Sequence, residues 1–364
     1  MKQGTGIGAL AERLRRRQIP SGWIVIPVLL ILLVILPFVW KQPFYVNIFI
    51  LIFLFGYLAT AWGLVGQSGQ LSFGHAAFFG LGAYTSTLLY TQVGVSPWLG
   101  MLVGAVVAVI AGAIIGYPTL RLRGVYFALA TLAFCVILQI YVRNTQFLGP
   151  LTLGASSGLW ITPYAGAKGP LFYQFASKTP FYFIALGMLV GVVSLSHLLN
   201  RVRLGYYWRA MRSDPDASES LGINVGRYRL MTFLLSCALT ALGGSFYAQY
   251  FYFISPDRVL DISLSVEIVL VGVVGGWQTV FGPMIGAFII IPISHIISAQ
   301  LGSTLFGLHI VVYGIILMLF ILYLPRGLNI PVMRGLRWLE AKLQRQPESS
   351  SDKPRRKPSG YTGS

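Results

Sequence analysis

The chain has 364 residues, of which 55% are apolar, 14% aromatic and only 10% charged, with a mean hydropathy of +0.72. A soluble protein carries about 25% charged residues, so a soluble enzyme, a disordered chain and a coiled coil are all excluded. The net charge of +17 comes from 27 basic against 10 acidic residues. These charges sit in short clusters between apolar runs, a pattern of membrane topology rather than of nucleic-acid binding.

The first element is a basic arm, residues 1–21, with Arg13, Arg15, Arg16 and Arg17. The apolar stretch 24–40 that follows is longer than a signal-peptide core and lacks a small-residue cleavage site, so it reads as an uncleaved first helix. Runs of about 20 apolar residues, enough for a helix to cross ~30 Å of hydrocarbon, then recur. The expected spans are 22–40, 45–65, 72–91, 97–118, 124–142, 180–199, 229–252, 264–280, 282–298 and 305–324. The third, eighth and ninth are glycine-rich and are candidates for broken or re-entrant segments. The fold expected is all-α, a polytopic bundle of about ten transmembrane helices. Its domains are the arm 1–21, a permease domain 22–328 and a basic tail 329–364.

Ten crossings from a cytoplasmic N-terminus place the C-terminus in the cytoplasm as well. The outside segments then hold only Lys41, Arg143, Lys168, Lys178 and Arg258, as the positive-inside rule requires. The longest outside loop is 143–179, and the longest inside loop between spans is 200–228. The tail 343–364 lacks the apolar content to fold alone; it reads as a solvated tail that helps set topology, and its basic run offers, as an alternative, a contact for anionic lipid. Cys135 and Cys237 lie in apolar stretches, outside any metal or redox motif, and imply no disulfide framework.

Inside the spans, small residues recur at four-residue spacing: Gly100 and Gly104, Gly112 and Gly116, Gly187 and Gly191, Gly272 and Gly276, Gly282 and Gly286. Such pairs let helix backbones approach closely where packing must replace the hydrophobic drive. Candidates for an ion relay in the spans are few: His75, Glu267 and, near an interface, His295. That is too little for a proton or sodium relay. The chain has no phosphate-binding loop, no His-Glu-x-x-His and no Cys-x-x-Cys, so neither an ATPase site nor a cofactor is expected of it.

Three stretches carry polar chemistry. The first runs Gly66-Gln67-Ser68-Gly69-Gln70-Leu71-Ser72-Phe73-Gly74-His75 and continues through Gly80, Gly82 and Tyr84. Amides and hydroxyls here interrupt an apolar region and must face protein or water. The bland reading of each, an interhelical polar contact, stands beside a role in a path. The second is Arg203 to Arg227, where Ser213 or Asp214 can cap a helix, Pro215 suits its first position, and Gly222 can end it left-handed. A capped helix between spans is a rigid handle for a partner; the alternative is an ordinary interfacial helix. The third holds Glu267, Gly275, Gly276, Gly282, Pro283, Gly286 and Ala287.

Together these stretches resemble the permease subunit of branched-chain amino acid ABC importers, the LivM type. The likeness rests on Gly-Gln-x-Ser-x-Gly-His-Ala-x-Phe-x-Gly-x-Gly-Ala-Tyr within the stretch 66–84, an Arg-Ala-x-Arg pattern through Gly222 and Ile223, and the Gly-Gly…Gly-Pro-x-x-Gly-Ala stretch at 275–287. It covers about 45–328. The resemblance implies a multi-pass subunit of a bacterial or archaeal cytoplasmic membrane. Its implied partners are a second homologous permease, two cytoplasmic ATP-binding subunits and an extracytoplasmic substrate-binding protein, with membrane lipid around it and no nucleic acid. Gln67, Ser68, Gln70, Ser72, His75 and Glu267 would then line or support the translocation path. Arg209, Arg212, Asp214, Asp216, Glu219, Ser220 and Gly222 would form the loop that couples to the ATPase. Competing readings are a permease of the same superfamily for urea, short amides or sugars, an ion-coupled carrier, and an intramembrane enzyme or scaffold.

Overall fold

The structure, a computed structural model, describes residues 31–37, 42–119, 122, 124–162, 173, 175, 177–301 and the isolated positions 314, 318 and 322. The basic arm, the tail 329–364, most of the first expected span and the tenth lie outside the described residues. A helical segment spans 31–37. After it come α1 (Pro43–Gln67), α2 (His75–Leu88, continued by a π-helical turn, Leu89–Val93), α3 (Pro97–Thr119) and α4 (Val125–Asn144). Then follow α5 (Thr179–Arg201), α6 (Arg203–Ser213), α7 (Pro215–Ser220), α8 (Val225–Phe251), α9 (Pro256–Val259), α10 (Ile262–Gly275) and α11 (Gly282–Leu301).

Five of these, α1, α3, α4, α5 and α8, are long and apolar enough to cross a membrane. They match the expected spans closely, because an uninterrupted apolar run leaves the chain no alternative to helix in hydrocarbon. Two expected spans are corrected. The third begins at His75 rather than residue 72, since residues 68–74 are not helical. The eighth stops at Gly275 rather than 280: Gly276 turns left-handed, with φ of 100°. At about 1.5 Å per residue, the 14 residues of α10 fall short of the hydrocarbon thickness.

Helix α1 is apolar all round and is buried all round, with every residue from Ile50 to Gln67 out of solvent. A helix without a polar face belongs in the centre of a bundle. It packs on α5, α8, α10 and α11, with Phe53 edge-on to Tyr182 at 5.0 Å. Helix α3 shows the opposite design. Gly100, Gly104, Ala108, Gly112 and Gly116 form a buried spine, while Leu102, Val106, Ile110 and Ile114 are exposed on the other side. The spine meets α2 and α8, and the exposed branched face is suited to lipid.

Most of the expected glycine pairs lie at close contacts: a Cβ on Gly100 would stand 3.1 Å from Ser86, on Gly104 3.2 Å from Gly82, on Gly112 3.0 Å from Cys237, on Gly116 3.0 Å from Phe233 and on Gly272 2.7 Å from the Trp62 ring. Other glycines permit still closer approach. A Cβ on Gly82 would collide with the backbone of Ala241, and one on Gly244 with the carbonyl of Phe79, so α2 and α8 touch backbone to backbone. Likewise Gly275 meets the carbonyl of Gly282, and Gly286 that of Val271, closing α10 on α11. The pair Gly187 and Gly191 differs: nothing lies within 4 Å of either.

The loop after α4 forms two short antiparallel pairings. Strand β1 (Phe147–Leu148) pairs with β2 (Leu151–Thr152), and β3 (Leu159–Trp160) pairs with β4 (Phe253–Ile254) beyond α8. Its stretch Gly154-Ala155-Ser156-Ser157-Gly158 has the letters of a nucleophile elbow. It forms a single 3-10 turn (Ala155–Ser157) instead of the strand-to-helix turn that such a nucleophile needs.

Replacing Gly82 by Leu should overpack the α2–α8 contact and cost at least about 1–3 kcal/mol. Gly187→Ala should be tolerated. Thermal unfolding of both variants in detergent checks this, and equal stability would contradict the close approach.

Candidate functional site: a broken polar segment and a capped helical handle

Helix α1 ends at Gln67 because Gly69 adopts φ of 86°. The Gly69 N–H bonds to the Gly66 carbonyl (2.9 Å) and the Gln70 N–H to the Val65 carbonyl (3.3 Å), a Schellman closure. In the non-helical stretch that follows, Gln70, Ser72 and Gly74 are buried while Gly69 and Leu71 are exposed, and side chains of surrounding helices serve its polar groups. The Trp62 indole donates to the Ser72 carbonyl at 2.9 Å. Thr131 Oγ1 on α4 accepts from the Phe73 N–H at 3.1 Å. Ser265 Oγ on α10 accepts from the Ala76 N–H at 2.8 Å.

His75 is fully buried at the start of α2, with Nε2 2.8 Å from Ser236 Oγ on α8. Ser236 spends its one proton on the Ala61 carbonyl, at 2.7 Å. The serine must therefore accept from the ring, which fixes a proton on Nε2. Nδ1 has no partner among the described residues. Gln70 is also buried, and neither end of its amide is paired among the described residues. Gln67 Oε1 accepts from Asn200 Nδ2 on α5 at 2.8 Å, and Ser68 Oγ donates to the Val65 carbonyl at 2.7 Å. Glu267 lies half-buried on α10, two residues beyond Ser265.

The second feature is the pair α6 and α7. Trp208 and Met211 on α6 are buried against Leu64 and Val225, and the Trp208 indole donates to Thr232 Oγ1 at 2.8 Å. Asp214 caps α7, its Oδ1 accepting from the N–H groups of Asp216 and Ala217 at 3.0 Å each. Pro215 occupies the first turn. Gly222, with φ of 84°, closes the helix: its N–H bonds to the Glu219 carbonyl, and that of Ile223 to the Ser218 carbonyl. Asp214, Asp216, Glu219, Ser220 and Gly222 are exposed, as is Arg209, whose guanidinium lies over the Tyr206 ring at 4.7 Å.

The three sequence stretches meet at one end of the bundle. A Cβ on Gly69 would stand 3.1 Å from the Arg212 Cα, and one on Gly66 would sit 2.8 Å from the Trp277 ring. The Arg212 guanidinium lies over that ring, 5.7 Å from its centroid. Arg212 is thus half-buried between the first and third stretches, unlike the exposed residues after it.

Comparison with known proteins fits this arrangement. Residues 44–324 match the family described as the permease component of branched-chain amino acid transport systems. The chain belongs to that family. It is 30% identical to the high-affinity branched-chain amino acid transport system permease protein LivM of Escherichia coli over 291 residues, 74% of this chain and 66% of that protein. The chain therefore spans just under two thirds of this relative's length. It is 23% identical to the LivH permease protein of the same organism, over 72% of this chain and 86% of LivH. The nucleoside ABC transporter permease protein NupC of Lactococcus lactis is 26% identical, over 50% of this chain and 60% of that protein. No solved structure matches.

This permease component is therefore a multi-pass membrane protein of mostly helical build. Four residues of its site escape a reading of the sequence alone. Ser236, Asn200 and Trp277 are ordinary residues until the fold brings them to His75, Gln67 and Arg212. Leu221 had a visible signal, a lone large apolar side chain between Ser220 and Gly222 in a polar loop, and it is 82% exposed.

Ser236→Ala removes the acceptor for His75 and the donor to Ala61. The expected loss is about 1–3 kcal/mol, the cost of buried polar groups left unpaired. Ser194→Ala, on the exposed side of α5, should stay within about 0.5 kcal/mol of the parent. Denaturant titration in micelles compares them, and equal values would remove the His75–Ser236 link from the fold's support.

Proposed function

We propose that the chain is one membrane subunit of an ABC importer for branched-chain, hydrophobic amino acids. ATP hydrolysis on two separate cytoplasmic subunits drives it, a second homologous permease completes the pathway, and an extracytoplasmic binding protein delivers solute. The observation that carries this reading is the α6–α7 handle. It is anchored through Trp208 and Met211, and capped at both ends of α7. It presents Asp216, Glu219 and the 82% exposed Leu221 away from the bundle. A rigid projection with an apolar tip suits docking into a groove on a partner. Family membership and the similarity to both LivM and LivH support the paired arrangement.

The permease domain is residues 22–328 in this proposal, with about ten transmembrane helices, the short α10 among them, and both termini in the cytoplasm. The basic arm 1–21 and tail 329–364 belong to that side in this topology. Gln67, Ser68, Gln70, Ser72, His75 and Glu267 line or support the path. The unpaired Gln70 amide and His75 Nδ1 support this role, because buried polar groups normally find a partner, and a passing solute or water supplies one. Arg209, Asp214, Asp216, Glu219, Ser220 and Gly222 belong to the surface that meets the ATPase. The relative described as a nucleoside permease favours a second reading, in which this scaffold carries a nucleoside.

The tagged protein, purified in mild detergent, should bring down an ATP-binding subunit and a second multispan permease. Reconstituted with the binding protein, the complex should take up leucine, isoleucine or valine; uptake of uridine alone would favour the nucleoside reading. Leu221→Asp should cut ATPase recovery by roughly tenfold or more, as expected for losing about 1.5–3 kcal/mol of apolar burial. A wild-type level of ATPase on that variant would remove the docking assignment.

Topology has its own test. Leu221→Cys should react with an impermeant maleimide only from the cytoplasmic side, and Trp160→Cys, in an exposed position of the loop after α4, only from outside. Native Cys135 and Cys237 are buried and should stay silent. Labelling of both variants from one side would refute the arrangement.

A further inference from the structure

We propose that Arg212 and Trp277 form the joint through which the α6–α7 handle moves the broken segment 68–74 and the turn between α10 and α11. The inference rests on the importer reading above and concerns how the handle's motion enters the bundle.

The contacts define a short physical chain. Arg212 stands in the last turn of α6, two residues before the Asp214 cap of α7. The backbone of Gly69 lies against its Cα, so close that a side chain at Gly69 would stand 3.1 Å away. The left-handed φ of 86° at Gly69 adds a second reason for glycine there. A shift of the last turn of α6 therefore presses on main chain, with no flexible side chain at Gly69 between them to absorb it. On its other side the Arg212 guanidinium lies over the Trp277 ring at 5.7 Å. That ring fills the space left by the missing side chain of Gly66, and the Trp277 carbonyl would lie 3.8 Å from a Cβ on Gly63. Trp277 follows Gly276, the left-handed residue that ends α10. Arg212 and Trp277 thus join the handle, the end of α1 and the α10–α11 turn.

The joint is also polarised. Asn200 near the end of α5 holds Gln67 at 2.8 Å, so the end of α5, just before α6, and the last turn of α6 grip the same end of α1. Beyond Gly69 the segment runs only to Gly74 before α2 begins at His75. Displacement at Gly69 reaches the polar groups Gln70, Ser72 and His75 within six residues. A planar cation over an indole suits this role, since arginine stacks on an aromatic face where lysine acts as a point charge.

The test uses the complete complex with its ATP-binding subunits, partner permease and binding protein, and the variants R212A, R212K, W277L and W277F. Three quantities are read: ATPase recovered per permease, ATP hydrolysis stimulated by loaded binding protein, and solute taken up per ATP. R212A and W277L should keep ATPase recovery and basal hydrolysis but lower solute per ATP by roughly twofold to thirtyfold, the range for residues that carry coupling. W277F should retain most of it, and R212K should fall between. The double variant R212A/W277L should be no worse than the poorer single one. Unchanged solute per ATP in R212A would overturn the joint. So would lost ATPase recovery in R212A, which would make Arg212 a docking contact instead, and so would additive losses in the double variant. If the wild-type chain recruits no ATPase, the importer reading itself fails. The pair is then judged on the isolated chain: coupled losses of thermal stability in R212A, W277L and the double variant would keep the contact, and additive losses would remove it.

Discussion

A backbone that leaves the helical path inside an apolar bundle must hand its polar groups to someone else, and residues 68–74 set that problem for the rest of the fold. Each unpaired N–H or C=O in such surroundings costs free energy comparable to a lost hydrogen bond. The solution is distributed. Trp62 of α1, Thr131 of α4, Ser236 of α8 and Ser265 of α10 each contribute one group to this stretch or to the first residues of α2. Four helices are therefore held in register by one break. The break is possible only because Gly69 reverses the chain and lets α1 satisfy its own last carbonyls.

The glycine contacts follow from the same constraint. Side-chain hydroxyls reach backbone atoms of a neighbouring helix only if the helices stand close, and closeness needs residues without a Cβ at the crossing. Gly82 illustrates the pairing. Its backbone lies against Ala241 of α8, and its carbonyl accepts from Ser245 Oγ at 2.9 Å. Packing and polar satisfaction are thus one arrangement at this crossing. In lipid that matters, because burial of apolar surface alone gives helices little reason to associate.

How much of this could be read from the sequence depended on the range of the interaction. The bounds of α3 and α5 follow from local apolar runs, and the start and stop of α7 follow from Asp214, Pro215 and Gly222, all within nine residues. The end of α10 is different. A Gly-Gly pair in an apolar run is compatible with a continuing helix or with a break, and the contact of Gly275 with Gly282 decides for the break. Glycine spacing was equally ambiguous: Gly187 and Gly191 share it with the packed pairs, yet they meet nothing within 4 Å. The candidate site was legible as a list of polar residues but not as a set of partnerships. His75 and Ser236 are 161 residues apart, and nothing local in either marks the other.

The division of labour among the charged residues completes the picture. Within the α6–α7 handle, Asp216, Glu219 and Leu221 are exposed, whereas Trp208, Met211 and Arg212 turn inward. In the proposed docking, an apolar tip beside acids would separate two needs of an interface: the apolar side chain, buried on docking, would contribute affinity, while the charges would steer approach and select the partner. The inward group meets the opposite need. It holds an otherwise peripheral loop to main chain and to an indole at the heart of the glycine-rich motifs. A loop fixed only by exposed ion pairs would slide against the bundle, since such pairs contribute little. A loop fixed by backbone contact at Gly69 and by the Trp277 ring can push on the helices it touches.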